Sequence, residues 1–175
     1  GGTPCESLPE IVEGCMDVAA LNFNASATIE DGSCQYQCDV NWDVKVTDQN
    51  HSIFIEGDWI DLNGNFLAEG SAVGIFFQNQ NGDFECAGYS LFAENLVQIS
   101  VMGDDATTEE IDGLDADQQF VFRLWNASTC EEYSAVSNYT SGPETYTANG
   151  ITFVNSVTAI AFGSNEQTID LTLGW

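Results

Sequence analysis

One stretch of the sequence decides the fold class: Gly74-Ile75-Phe76-Phe77-Gln78-Asn79-Gln80-Asn81-Gly82-Asp83-Phe84-Glu85-Cys86. In it, two apolar segments flank the dipeptide Asn81-Gly82. This dipeptide favours a type I′ turn, because both central positions of that turn need a positive φ. The stretch therefore predicts a β-hairpin with one strand on each side of Asn81-Gly82.

The same pattern recurs from Asn41 onward, as short segments in which apolar and polar residues alternate. Gly, Asn and Asp separate these segments, as is typical of strands joined by turns. About eight to ten strands at this spacing predict an all-β fold, an antiparallel β-sandwich of the immunoglobulin-like or jelly-roll-like kind. The alternating apolar residues include Val44, Val46, Val97, Ile99, Val101, Phe120, Phe122 and Leu124.

The last segment alternates up to the final residue of the chain, and no turn follows it. We therefore expect the native chain to continue beyond this segment. An alternating terminal strand can also pair with the sheet edge of a neighbouring subunit, as in donor-strand assembly. The residues predicted to form such an inter-subunit strand are Ile169, Leu171, Leu173 and Trp175.

The six cysteines indicate two parts of the chain. Residues 1–39 contain four of them and little strand periodicity, which predicts a disulfide-stapled connector, and residues 40–175 are predicted to form the β-sandwich domain. An even number of cysteines suits three disulfides in an oxidising compartment. Zinc is disfavoured, since there is no CxxC pair and only one histidine. Sequence alone leaves the pairing open, but proximity favours Cys15–Cys34, Cys5–Cys38 and Cys86–Cys130.

The charge of the chain is strongly one-sided. Its 28 acidic residues face only two basic ones, Lys45 and Arg123, and the formal net charge is −26. Nucleic acids and anionic membranes both bind through Lys and Arg, so the composition argues against them as partners. No apolar run is long enough for a membrane span, and we expect no direct membrane insertion. The remaining interpretations are a surface adapted to high salt and a role in binding divalent cations.

Two acidic loops are candidate Ca²⁺ sites, because carboxylate and amide oxygens are the hard ligands that this ion prefers. One loop lies between Cys15 and Cys34, and the other extends from Gly103 to Gly113. A third acidic segment, Asp61 to Asn65, lacks the later glutamate of an EF-hand and is predicted to be a turn. The predicted ligands are Asp17, Asn22, Asn24, Glu30 and Asp31 in the first loop, and Asp104, Asp105, Glu109 and Asp112 in the second.

The sequence does not favour an enzyme. A Ser/His/Asp arrangement would have to use His51, the only histidine, which we expect in an exposed turn before the strand Ile53-Phe54-Ile55. Carboxylates are too abundant for a glycosidase pair to be recognised. A carbohydrate-binding module is the alternative function, with an exposed aromatic platform drawn from Trp42, Trp59, Tyr89, Trp125 and Tyr133.

Two sets of residues resemble known sequences. The cysteine-bracketed loop contains Gly14-Cys15-Met16-Asp17, Asn22-Phe23-Asn24 and Asp31-Gly32-Ser33-Cys34. The remainder contains Cys86-Ala87-Gly88-Tyr89, Phe122-Arg123-Leu124-Trp125 and Leu173-Gly174-Trp175, among other segments. The loop resembles a short repeat of large secreted and cell-surface proteins of marine Bacteroidetes-type bacteria. The rest is similar to a β-rich module that recurs in the same proteins.

This resemblance implies export by the type IX secretion route and display at the cell surface. It also implies that neighbouring modules or subunits of the same fibre are the partners. Surface glycans are the partners expected from the alternative carbohydrate-binding function. Together with the residue patterns, it leads us to expect an extracellular structural or adhesive module of a surface filament or multidomain adhesin, rigidified by disulfides and Ca²⁺.

Overall fold

The structure is a computed structural model that describes residues 10–36, 38–61, 63–67, 69–92, 96–105 and 107–160. The chain divides into two compact units, Gly1–Cys38 and Asp39–Trp175, here called the N-terminal unit and the sheet unit. Some predictions lie outside the described residues. These are the pairing of Cys5 and the inter-subunit strand formed by Ile169, Leu171, Leu173 and Trp175.

The described part of the sheet unit is all-β, as the alternation predicted. No helix is present in the described ranges, so none of their segments is a helix able to cross a membrane. The strands are β1 (Asn50–Ile55), β2 (Trp59–Ile60), β3 (Ala72–Gln78), β4 (Phe84–Leu91), β5 (Val97–Met102), β6 (Val121–Asn126), β7 (Glu131–Ser141) and β8 (Ile151–Ile160).

All eight strands belong to one mixed sheet with the order β4-β3-β6-β7-β8-β1-β5, and β2 pairs with β8 beyond the end of β1. Both β1 and β2 run parallel to β8, with Ser52 opposite Ile151 and Trp59 opposite Val157. The prediction of a purely antiparallel fold is therefore wrong for these pairs. Two separate sheets, as in a sandwich, are not confirmed.

The sheet curves until its two outer strands, β4 and β5, face each other. Their closest approach is at Gly88, where an added Cβ atom would lie only 2.1 Å from the carbonyl oxygen of Ser100. Only glycine fits this position without moving one of the strands. The sheet is consequently nearly barrel-shaped, although β4 and β5 are not paired by a hydrogen-bond ladder.

Alternation along the strands places the hydrophobic core inside the curved sheet. In β5, the apolar residues are buried and Gln98 and Ser100 are exposed, as predicted. The predicted strand around Val44 and Val46 is wrong: Val44 makes a single bridge to Cys86, and Val46 is 83% exposed. The largest fully buried core residues include Trp59, Ile53, Ile75, Phe77, Ile99 and Leu124.

The hairpin predicted from Asn81-Gly82 is confirmed, but its turn is not of type I′. Gly82 has a φ of 85°, whereas Asn81 is not among the described residues with positive φ. The amide of Gly82 donates to the carbonyl oxygen of Asn79, and the side chain of Asn79 accepts from the amides of Asn81 and Asp83. These bonds are typical of a longer loop with a left-handed glycine at its end.

His51 is fully buried in β1, so the prediction of an exposed turn histidine is wrong. Its Nδ1 lies 3.0 Å from the carbonyl oxygen of Thr147, and its Nε2 lies 2.9 Å from Oγ1 of Thr152. The imidazole packs edge-on against Phe120, with ring centroids 5.0 Å apart. Burial lowers the pKa of His51, because the protonated ring would lose its hydration.

The burial of His51 predicts a loss of stability as the pH falls below about 6.5. In that range the unfolded chain binds a proton on this residue, whereas the folded chain binds it only at a lower pH. Protons therefore favour the unfolded state. We expect the melting temperature to fall between about pH 7.5 and about pH 5, before most carboxylates titrate.

A His51→Gln variant is the control, because His51 is the only histidine of the chain. Its melting temperature is expected to change much less over the same pH range. An equal decrease of the melting temperature with falling pH in both proteins would contradict the assignment of this effect to His51.

Candidate functional site

The N-terminal unit is held by a disulfide rather than by a core. Cys15 and Cys34 are bonded, as proximity predicted, with an S–S distance of 2.06 Å. Among the described residues of this unit, only Cys15 and Ala20 are buried, and apolar side chains such as Val18 and Leu21 are exposed. A unit that buries so little apolar surface depends on its covalent link.

The predicted Ca²⁺ ligands of this loop make hydrogen bonds to its own backbone. Asn22 Oδ1 accepts from the amide of Gln35 at 2.8 Å, and Asn22 Nδ2 donates to the carbonyl oxygen of Ser33 at 2.7 Å. Glu30 accepts from the amide of Met16 at 2.7 Å. These bonds connect segments far apart in the loop, so the side chains act as internal cross-links.

The other three predicted ligands have similar roles. Asp17 accepts from the amide of Ala19 and from the hydroxyl of Tyr36, and these two bonds lower the pKa of Asp17. Asn24 and Asp31 each accept a hydrogen bond from the amide two residues ahead. Each of the five predicted ligands therefore already accepts a hydrogen bond within the loop.

In the second loop, Asp105 ties the loop to the segment before β1. Its Oδ2 accepts from the amide of Asp48 at 3.0 Å, and its Oδ1 accepts from the amide of Thr107 at 2.7 Å. The hydroxyl of Thr107 also donates to this carboxylate and is the largest cause of the lowered pKa of Asp105. Asp105 thus already has its donors.

Asp112 and Asp105 are the two buried acidic residues of this loop, each 7% exposed, but they differ in their hydrogen bonds. The Oδ2 atom of Asp112 accepts from the hydroxyl of Thr108 at 3.0 Å. Its amide donates to Asp104 Oδ1 at 3.1 Å, but its own Oδ1 is buried without a hydrogen-bond partner. Glu109, the remaining predicted ligand, is exposed.

Neither loop contains a preformed cluster of charged ligands. Among the described residues, the only three candidate ligand atoms within 4.8 Å of one another belong to Cys15, Glu30 and Cys34. The two sulfur atoms are bonded to each other and are not available as thiolates. Ca²⁺ in either loop would need further oxygen ligands, such as side-chain amides, backbone carbonyl groups or water, and its binding stays a prediction.

The predicted pair Cys86–Cys130 is wrong, because Cys86 is a buried free thiol. Cys130 and Cys38 are both disulfide-bonded, and the partner predicted for Cys38, Cys5, lies outside the described residues. Burial raises the pKa of the Cys86 thiol to about 12, because a thiolate would lose its hydration there. Cys86 is consequently inert in the folded chain.

We expect Cys86 to resist alkylation in the native protein. Iodoacetamide at about pH 8 should leave the Cys86 peptide unmodified in buffer and modify it fully in denaturant without reductant, as read by peptide mass mapping. The Cys15 peptide is the internal control, since it should be modified only after reduction. Modification of Cys86 in the native chain, or its recovery in a disulfide, would contradict this structure.

The sheet unit has a cavity of about 310 Å³ beside Trp42, here called the Trp42 cavity. It lies next to the outer face of β3 and β4. The aromatic residues on this face, Trp42, Phe76 and Phe84, are not part of the hydrophobic core cluster. Its walls combine aromatic rings with carboxylates. The lining residues include Trp42, Phe76, Phe84, Asp43, Glu85 and Asp112.

The indole of Trp42 is held in place from several sides. Its Nε1 donates to Glu132 at 2.8 Å, and its ring packs edge-on against Phe76 and Tyr89, with centroid distances of 5.2 and 5.8 Å. Gly74 lies directly beneath it, where an added Cβ would be 2.9 Å from the indole. Trp42 is nevertheless only partly buried.

Arg123 connects the aromatic rings of this surface. Its guanidinium carbon lies 4.6 Å from the ring centroid of Phe76 and 4.7 Å from that of Phe84. It also forms an ion pair with Glu132, the residue that holds Trp42. One cation–π and ion-pair network therefore fixes the positions of three aromatic rings.

Lys45, the other cation of the chain, lies at the cavity. Its Nζ is 3.5 Å from Glu85 and 3.5 Å from Glu110, and the negative charge of Glu85 is the main cause of its raised pKa. Both basic side chains of the chain are thus paired with carboxylates.

A β-bulge determines which residues of β4 face this surface. The pairing of β3 with β4 shifts after Ile75, and Ala87 is the extra residue in β4. Phe84 and Cys86 alternate normally before the bulge, and the extra residue then turns Tyr89 to their side, against Trp42. Bulges commonly re-aim side chains in this way.

The structure brings together two of the five aromatic residues predicted for a carbohydrate platform, Trp42 and Tyr89. Trp59 is in the core, and Trp125 and Tyr133 are partly buried elsewhere on β6 and β7. Sequence reasoning missed the residues that complete the surface. These residues are Phe76, Phe84, Arg123 and Glu132. The only signal for them in the sequence was Arg123 itself, because it is one of just two basic residues.

Comparisons with family models, with curated proteins and with solved structures found no significant match to this chain. Function must therefore be argued from the geometry alone.

Proposed function

We propose that this chain is a structural or adhesive module of an extracellular surface filament or multidomain adhesin. The observation that carries the proposal is the Cys15–Cys34 disulfide, which stabilises a unit with almost no core. Disulfides of this kind persist in oxidising compartments, and those of this chain indicate a non-cytoplasmic protein. A covalently closed unit joined to a sheet unit suits a module exposed to proteases and mechanical stress.

The charge of the chain supports the same proposal. Both basic side chains are already paired with carboxylates, at Glu85, Glu110 and Glu132. The exposed carboxylates keep such a module soluble in salty surroundings, where short screening lengths weaken their mutual repulsion. The partners that fit are neighbouring modules of the same assembly and neutral surface ligands, not polyanions.

Surface labelling in the organism that encodes the chain tests the proposal. An antibody against the chain should label intact cells, and external protease should remove that label. Deleting the coding segment should reduce attachment of cells to surfaces, and disabling type IX secretion should leave the chain inside. Detection only after lysis would contradict the proposal, with a cytoplasmic marker as the control for intact cells.

Calcium is part of this proposal at the loop from Gly103 to Gly113, where the buried Asp112 has an oxygen without a donor. A cation there would supply the missing partner. At constant ionic strength, Ca²⁺ should raise the melting temperature more than Mg²⁺ does. At tenfold its dissociation constant it should add about 1.4 kcal/mol to the free energy of unfolding.

Asp112→Asn should abolish the difference between Ca²⁺ and Mg²⁺, whereas Glu109→Gln, an exposed neighbour, should retain most of it. Equal effects of the two ions on the unaltered chain would remove calcium from the proposal.

A further inference from the structure

We propose that the Trp42 cavity binds an uncharged sugar ring. The inference deepens the adhesive part of the proposed function and rests on it, since it gives the module a ligand. The cavity has a volume of about 310 Å³. This is at the lower end of the range for small-molecule sites, ~300–1,000 Å³, and suits a single ring rather than a large ligand.

Aromatic surface remains available at this site. Phe84, which lines the cavity, is 43% exposed, and Tyr89, which packs against Trp42 but is not part of the lining, is 37% exposed. The apolar C–H faces of a sugar ring can pack against such rings.

The site is also pre-organised. Trp42 is fixed by its bond to Glu132 and by the absence of a side chain at Gly74, so it loses little conformational freedom when a ligand binds. The bulge at Ala87 places Tyr89 on the same face. The bond to Glu132, the lack of a side chain at Gly74 and the bulge at Ala87 thus all shape one surface outside the core.

The polar lining selects the ligand. Asp43 provides carboxylate oxygens that accept hydrogen bonds from hydroxyl groups, whereas Glu85 Oε1 already accepts from Asn79 Nδ2 and Glu85 Oε2 is paired with Lys45. An anionic sugar would face these carboxylates and the charge of −26. The site therefore favours a neutral polyhydroxyl ligand over an acidic one.

A cationic ligand is disfavoured for a different reason. The guanidinium of Arg123 already occupies the cation–π positions over Phe76 and Phe84. A ligand ammonium would have to compete with this internal cation or lie beside its positive charge. A neutral ring is not repelled by the charge of Arg123, and it would use the part of Phe84 that stays exposed.

The test is retention of the purified, oxidised full chain on agarose beads that carry glucose, galactose, mannose or N-acetylglucosamine. We expect retention on at least one of these beads and elution by the same free sugar. Beads carrying glucuronate or lysine test the two disfavoured ligand classes.

Variants place the binding at the cavity. Phe84→Ala should weaken retention about tenfold, as expected for the loss of one stacking ring. Phe66→Ala is the matched control, because Phe66 is 70% exposed and lies outside the cavity lining, and its retention should be unchanged. Asp43→Asn, which retains the size of the side chain, should also weaken retention. Trp42→Phe keeps a ring but loses the bond to Glu132, and should weaken it further.

Several results would overturn the inference. These are no retention on any of the four neutral sugars, equal retention of Phe84→Ala and Phe66→Ala, and stronger retention on glucuronate or lysine beads. Surface labelling with normal attachment of cells, combined with no sugar retention, would overturn only the sugar site. Absence of the chain from the surface would instead overturn the proposed function.

Discussion

The sheet unit depends on the pairing of one strand, β8. This strand binds β7 on one side and both β1 and β2 on the other, so it connects the early and the late parts of the described sheet. The parallel register of Ile53 opposite Thr152 places His51 beside the segment that leads into β8. Contacts so distant in sequence form late and slowly, since a long loop must close first. The buried histidine and the closure at Gly88 both follow from this arrangement.

A second constraint is the shortage of cations. With only Lys45 and Arg123 available, most carboxylates cannot form an ion pair, and in the described structure several of them accept hydrogen bonds from backbone amides or hydroxyl groups instead. The carboxylates of Asp105, Glu30 and similar acidic residues thereby stabilise the backbone of the loops through hydrogen bonds. The acidic loops consequently have an architectural role before any metal ion is considered. The exception is Asp112, whose Oδ1 is the one buried carboxylate oxygen without a hydrogen-bond partner among the described residues.

The features that sequence predicted correctly are local. The hairpin follows from Asn81-Gly82, and the burial of alternate residues in β5 follows from a pattern within six residues. Two errors are local, namely the strand predicted around Val44 and Val46 and the type I′ turn, and the other errors are non-local. The parallel pairing of β8, the burial of His51 and the unpaired state of Cys86 depend on segments that are far apart in sequence. For the same reason, the sequence predicted only part of the aromatic surface beside the Trp42 cavity. The extra residue Ala87, which turns Tyr89 toward Trp42, leaves no signature in composition or spacing.

The approach of β4 to β5 has a consequence for crowded surfaces. Unpaired strand edges act as templates for aggregation, and proteins displayed at high density are especially exposed to this hazard. Here the two outer strands of the sheet unit face each other, with Gly88 against Ser100. An incoming strand would have to separate them before it could add to either edge. The shape of the sheet, together with the charge of the chain, therefore disfavours edge-to-edge aggregation of this unit.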